Sequence, residues 1–282
     1  MSRLPHTRPA SPTKLSRMRW LPTALLGLLM LPLAALAGAW TPKQGSSYHK
    51  FAINSFSSES FFDTPAPGFR RFTDRNFTYY LEYGISDRLA FYGAVPLKRL
   101  SNHSGQVARS SGVGDIDVGL RYNFLSGPTV VSGSLLFKAP YAYSRGDAVP
   151  LGNGQEDVEA RILLGRSLGS AGYFGLEAGL RKRFGAPADE FRYLLEYGFD
   201  AAPTLYLRAK LDGIAGLGNS SPQVTLAGNP TLNLEFDLAK LEATAGYRLD
   251  KSRAVEFTVT RDLYGSNTLR GTTYSLALVF AY

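Results

Sequence analysis

The sequence predicts an all-β protein, a transmembrane antiparallel up-and-down β-barrel of about twelve strands, of the outer-membrane type. Three observations carry this. Apolar and polar residues alternate without error through long segments. The links between those segments alternate between short and long. The last segment, "TYSLALVFAY", places Tyr274, Leu276, Leu278, Phe280 and Tyr282 on one parity and stops on the aromatic residue.

The alternation is clearest in "GVGDIDVGLRYNF". Ile116, Val118, Leu120, Tyr122 and Phe124 share one face, and Asp115, Asp117, Gly119, Arg121 and Asn123 share the other. Side chains of a strand point to opposite faces in turn, whereas a helical period would scatter both sets. The same pattern marks segments near 46–56, 70–84, 88–99, 113–124, 130–140, 156–168, 172–184, 190–199, 204–213, 233–249, 253–263 and 268–281. The first and tenth are the weakest, and residues 232–240 fit a loop in part. Short turns fall at 85–87, 125–129, 169–171, 200–203 and 250–252, and longer links at 57–69, 100–112, 141–155 and 214–232. Links 185–189 and 264–267 are short ones in long-link positions. An outer-membrane barrel has short periplasmic turns and longer outer loops, with an apolar lipid face and a polar interior.

Before the first strand, Arg3, Arg8, Lys14, Arg17 and Arg19 precede "WLPTALLGLLMLPLAALA", which closes on Ala35-Leu36-Ala37. A basic leader, a short Pro-broken apolar stretch and a small-x-small site read as a secretory signal peptide over residues 1–37. Residues 38–282 then form a single barrel domain. The leader also accounts for the basic charge: the chain has 31 Lys and Arg against 23 Asp and Glu, and the leader holds five of the bases and no acid, so +3 is left on the remainder. Nucleic-acid binding loses its main support. The absence of cysteine excludes disulfides, thiolate metal sites and cysteine nucleophiles.

The tetrapeptide "LEYG" occurs at Leu81–Gly84 and again at Leu195–Gly198. Each copy ends a strand descending to a short turn, with its Tyr toward lipid and its Glu toward the lumen. Tyr83, Tyr122, Tyr197, Tyr247 and Tyr282 are thereby expected to form a girdle at the bilayer interface. Gly84 and Gly198 are expected to ease the chain into its turns.

Strand parity assigns the lumen Asp115, Asp117, Arg121, Asp157, Glu159, Arg161, Glu177, Arg181, Arg183, Arg208 and Lys210, which are the candidates for selectivity. Cross-strand ion pairing is the plain account of so many interleaved charges; filtering of solutes is the sharper one. Twelve strands lie between filled eight-stranded barrels and aqueous porins, so a narrow or closed passage is expected. The "DID" carboxylates, about 7 Å apart on one face, suggest a cation site, but Arg121 on the same face offers a salt bridge instead. His103 between Ser101 and Ser104 is the one candidate for hydrolytic chemistry, on a Ser/Asn/Gly-rich loop that is a poor platform for it. The glycines of "LGNGQED" and "AGLGNSS" lack nucleotide-cradle spacing. No cofactor, metal or enzymatic activity is expected. The small inner-face residues Ala277 and Ala281 leave room for "WTPKQG", residues 40–45, to enter the lumen.

The stretches "SGVGDIDVGLRYNFL", "PLGNGQEDVEARILLGRSL" and "YGSNTLRGTTYSLALVFAY", with the start "AWTPKQGSSYHKFAINSFSS", resemble the transporter-like outer-membrane family labelled "meta-pathway of phenol degradation". The resemblance runs from about residue 39 to the C-terminus. It implies an outer-membrane barrel passing small solutes, aromatic or apolar compounds among them, and it carries over no catalytic residue. The expected partners are outer-membrane lipids, the barrel-insertion machinery through the C-terminal strand, and a small solute. The alternatives are a non-conducting barrel that displays its outer loops and, more distantly, a surface hydrolase.

Overall fold

Once an extended chain crosses lipid, its backbone groups find partners only on neighbouring strands, so the sheet has to close on itself. The computed structural model describes residues 38–63, 66–221 and 228–282; the expected signal peptide lies outside them. It contains β1 (Ser47–Phe61), β2 (Phe72–Gly84), β3 (Leu89–Asn102), β4 (Ala108–Val113), β5 (Ile116–Leu125), β6 (Thr129–Ala139) and β7 (Asp157–Ser167). There follow β8 (Tyr173–Arg183), β9 (Glu190–Ala202), β10 (Leu205–Gly216), β11 (Asp237–Arg248), β12 (Arg253–Ser266) and β13 (Leu269–Ala281). Among the described residues a single 3₁₀ turn, Gly169–Ala171, interrupts the all-β pattern.

Each strand pairs antiparallel with its neighbours in sequence, and β13 closes the ring on β1 from Tyr48↔Ala281 to Phe61↔Leu269. β4 and β5 share β3 as partner: Leu97–Asn102 pair with β4 and Leu89–Ala94 with β5. They form one broken stave, so the wall has twelve positions, as the alternation predicts. The break lies beside Pro96, which has no N–H to give to a ladder and whose carbonyl accepts the Gly114 N–H at 2.9 Å. Beyond the break β4 pairs with β3 alone, leaving a notch in the wall beside it.

Several boundaries differ from the sequence expectation, mostly at the long-loop end. β1, β3, β9, β10 and β12 each run three or more residues further than expected, and β4 occupies the second half of the expected link 100–112. Polar, Ser- and Arg-rich residues there hide the period, although the backbone ladder continues through them. β11 begins at Asp237, so 232–236 belong to the preceding loop.

The faces segregate as a bilayer requires. Leu97, Leu135, Ile162, Leu180, Phe257 and Leu276 are at least half exposed on the outside, while Glu82, Asp157, Glu159 and Glu256 are buried within. A belt of large apolar side chains around the wall is stabilised only against lipid. Tyr83, Tyr122, Tyr197, Tyr247 and Tyr282 are all exposed and all lie toward the short-turn end.

The two LEYG glycines serve close approach rather than turning. Gly198 lies inside β9, where a Cβ would stand 2.5 Å from the Tyr173 ring. At Gly84 a Cβ would meet the Lys43 carbonyl oxygen at 2.0 Å. Gly198→Val is therefore expected to displace Tyr173 and cost about 1–3 kcal/mol. The midpoint of urea unfolding in detergent, read by gel mobility, checks this; an unchanged midpoint would show that the ring moves freely.

Candidate functional site

Alternation turns every second side chain of each strand inward, and on most strands those side chains are charged. The result is a continuous wall of ion pairs. Lys138 holds Asp157 at 2.8 Å and Asp115 at 3.3 Å; Arg181 and Arg183 each reach Asp157 at 3.7 Å. Arg183 also pairs with Glu190 at 3.0 Å, and Arg181 with Glu159 at 2.8 Å. Arg161 bridges Glu159 and Glu177, the latter at 3.0 Å. On the other side Lys210 meets Glu196 at 3.2 Å, and Arg208 reaches Glu256 at 3.5 Å and Glu242 at 3.7 Å. Lys50 holds Glu256 at 2.6 Å.

Tyrosine hydroxyls complete the carboxylates. Tyr80 donates to Glu82 at 2.5 Å, Tyr206 to Glu256 at 2.8 Å, and Tyr173 to Glu196. The two LEYG glutamates thus have matching surroundings, each with a tyrosine hydroxyl and one cation, Arg121 for Glu82 and Lys210 for Glu196. Carboxylates this deep are tolerated because partners replace the water they lose.

The centre of the lumen is open. A cavity of about 410 Å³ is lined by Tyr48, Tyr80 and Tyr92, by seven cations and by four carboxylates. Of the expected selectivity residues it brings together Asp117, Arg121, Glu159, Arg161, Glu177, Arg181, Arg208 and Lys210. Asp115, Asp157 and Arg183 lie outside it, in the adjoining ion-pair network. Lys50, Arg192 and Tyr92 also line it. Of these Lys50 stands in the weakly patterned first strand, and Tyr92 faces inward among apolar neighbours that hide its parity.

The floor of the cavity comes from the segment before β1. It does enter the lumen, but Gly165 and Tyr173, on β7 and β8, receive its Trp40 ring. Trp40 lies over Gly165 and stands edge-to-face on Tyr173, ring centres 5.5 Å apart. Ala39 is buried with Val130 and Leu163. Arg121 Nη1 donates to the Gly38 carbonyl and Ser132 Oγ to the Ala39 carbonyl, both at 2.5 Å. The Gly45 N–H bonds the Gly84 carbonyl at 2.9 Å, fixing the segment where it enters.

The roof is apolar. Phe61, Phe72, Leu100 and Leu269 from the strand ends bury Val149 and Leu151 of the loop 140–156. Burying two such side chains stabilises the inward fold by roughly 1.5–3 kcal/mol each. Asn229 of the loop before β11 ties to it, donating from Nδ2 to the Pro150 carbonyl, and Asn102 Nδ2 at the end of β3 holds that second loop at the Gly228 carbonyl, both at 2.8 Å. The Val149 N–H bonds Ser110 Oγ of β4 at 3.1 Å, so this loop also flanks the notch. Tyr143 Oη donates to Asp115 at 2.5 Å and accepts the Gly154 N–H at 2.8 Å. Burial, and then the Asp115 carboxylate, push the Tyr143 phenol up, so it stays a donor at neutral pH.

The expected salt bridge within "DID" changes accordingly. Arg121 pairs with Glu82 across β3 and not with Asp115 or Asp117, because its guanidinium reaches sideways to the next inward carboxylate rather than along its own strand. Asp115 is held by Lys138 and Tyr143, and no metal-binding cluster occurs among the described residues. His103 stands on the outer surface beside Arg71, Arg75, Arg99 and Arg109, where no carboxylate among the described residues orients it.

No protein-family model matches the chain, and no curated protein does. Solved structures share its fold. An outer-membrane channel from Pseudomonas putida F1 superposes with a TM-score of 0.70 at 17% identity, over 87% of this chain and 98% of that one. The KdgM porin, solved with disordered oligogalacturonate, gives 0.51 at 6% identity over 84% and 99%. The translocator domain of the autotransporter NalP from Neisseria meningitidis gives 0.51 at 10% identity over 85% and 89%. At these identities the likeness is one of fold, and that fold serves a channel, a porin and a translocator: the chain is an outer-membrane-type β-barrel.

Arg121 is the side chain through which wall and floor meet. Arg121→Met leaves Glu82 buried beside only a tyrosine and frees the Gly38 carbonyl. A loss of about 3–5 kcal/mol is expected, read as a lowered urea midpoint, together with faster proteolysis within residues 38–46. A change below about 1 kcal/mol would show that the pair is solvated.

Proposed function

We propose that this protein is a gated outer-membrane channel for small solutes, aromatic and apolar compounds among them. The observation that carries this is the central cavity of about 410 Å³, which is closed by two inserted segments and is not packed shut by the wall itself. A barrel serving only as a scaffold gains nothing from an internal void. Both closures are held by a few hydrogen bonds and small apolar contacts, the kind of element that opens at low cost.

The lining suits amphipathic solutes. Phe61, Phe72, Leu100 and Leu269 offer an apolar entrance once the loop 140–156 withdraws, and the tyrosines beneath offer ring faces. The excess of cations over carboxylates around the cavity favours a solute with an anionic or electron-rich group. Residues Asp117, Arg161, Arg181, Arg208 and Lys210 are the proposed selectivity set. The resemblance to the phenol meta-pathway family agrees with an aromatic solute.

Planar-bilayer recording of residues 38–282 tests the proposal against a variant that lacks 38–44 and carries Val149→Ser and Leu151→Ser, so that floor and roof are both released. The full barrel is expected to show brief, small steps and the shortened one steady current with a reversal potential displaced toward anions. Small aromatic carboxylates are expected to block that current more strongly than sugars of similar size. A shortened, folded barrel that remains silent would refute the channel and leave the loop-displaying barrel. Arg181→Glu with Arg183→Glu is expected to move the reversal potential toward cations; no shift would remove these arginines from the pathway.

A further inference from the structure

The outside of the wall changes chemistry in a single step along β2 and β3. From the short-turn end, β2 presents Tyr83, Leu81, Tyr79 and Phe77, and β3 presents Phe91, Val95 and Leu97. The next outward rung sets Arg75 directly opposite Arg99. One rung higher, Thr73 faces Ser101, which faces Arg109 on β4. Above that the Arg71 carbonyl accepts the His103 N–H at 2.8 Å. The four arginines, His103 and the two hydroxyls line one hollow of about 300 Å³.

Like charges directly opposite on adjacent strands repel, and all four arginines are exposed. Among the described residues none of them has an ion-pair partner; the neighbouring Asp74 turns to the lumen and holds Lys98 at 3.1 Å. The cluster therefore lacks its anion. Its height supplies the rest. Eight residues separate Arg75 from Tyr83 of the interface girdle, and at about 3.4 Å per residue and a tilt near 40° that is roughly 21 Å. The apolar band of such barrels is about 25 Å tall, so the arginines begin where the head groups of the far leaflet begin.

We infer that this hollow binds the phosphorylated head group of an outer-leaflet glycolipid. Guanidinium groups match phosphate oxygens in forked pairs. Beyond the Arg75/Arg99 rung, Arg109 stands about 7 Å and Arg71 about 14 Å further along the wall, a span that suits a disaccharide carrying two phosphates. Thr73 and Ser101, on the Arg109 rung, face the sugar hydroxyls, and Phe77 and Leu97 just below Arg75 and Arg99 face the acyl chains. The assignment rests on the outer-membrane placement proposed above, but not on conduction.

The test uses residues 38–282 in nanodiscs of zwitterionic phospholipid, titrated with bis-phosphorylated lipid A and read by native mass spectrometry. Arg75→Gln with Arg99→Gln is expected to weaken binding about tenfold, and addition of Arg71→Gln and Arg109→Gln about tenfold more. The Arg75→Lys, Arg99→Lys pair is expected to restore part of it. Dephosphorylated lipid A is expected to bind no better to the wild type than to the quadruple variant, and millimolar inorganic phosphate not to displace the lipid. Equal affinity of wild type and a folded quadruple variant, or equal binding of the dephosphorylated lipid, would overturn the assignment. Displacement by inorganic phosphate would make the hollow a small-anion site and overturn it too. Channel currents of the glutamine variants are expected to match the wild type, so a silent barrel would refute conduction and leave this site standing.

Discussion

Everything in this molecule depends on the seam between β1 and β13. Strands in lipid have no water for their backbone groups, so every edge has to be paired, and here a ladder of thirteen facing residue pairs, broken once by a bulge between Ser58 and Ser60, joins the two ends of the chain. Closure fixes what each side chain can do. One parity meets lipid and must be apolar; the other meets a confined interior and can be polar only if its groups satisfy one another. The alternating sequence and the interleaved charges are two consequences of one constraint.

A twelve-stranded ring encloses more space than its own side chains fill. The protein deals with the surplus in three layers. Midway, long charged side chains span toward each other and toward tyrosine hydroxyls, leaving a polar void. At the short-turn end the segment from Gly38 crosses beneath it, and at the long-loop end Val149 and Leu151 fold in over it. Charge pairing keeps the wall rigid while the closures stay weak. Removing one member of a buried pair leaves an uncompensated charge in the wall, whereas the loop lifts as a unit by releasing two apolar side chains and a few hydrogen bonds. Rigidity of the wall and mobility of its closures are what gating requires.

Much of this was legible in the sequence because a strand exposes its environment residue by residue. "DIDVGLRYNF" reads directly as an inward and an outward face, and the LEYG tyrosines and glutamates fall on the faces their parity assigns. What depended on three-dimensional neighbours was not legible. Arg121 looks like the partner of Asp115 and Asp117 along its strand, yet it serves Glu82 two strands away. Val149 and Leu151 flank Pro150 ahead of Gly152 and read as loop, and only the ring of strand ends around them makes them a roof. β4 was hidden by its polar residues, and the same residues form the basic hollow outside. Gly198 looked like turn punctuation, and its reason is the Tyr173 ring on the next strand.

The central claim is that the segment before β1 is a movable floor that closes the lumen at the short-turn end, as the loop 140–156 closes it at the long-loop end. Because the chain has no cysteine, a disulfide between Ala39→Cys and Ser132→Cys, positions already joined by a hydrogen bond, locks that floor cleanly. The direct measurement is the single-channel current of this protein oxidised and then reduced in the same bilayer. A silent oxidised barrel that gives discrete steps on reduction is the predicted result. Identical traces in the two states, whether silent or conducting, would contradict it, since the floor would then not control the path.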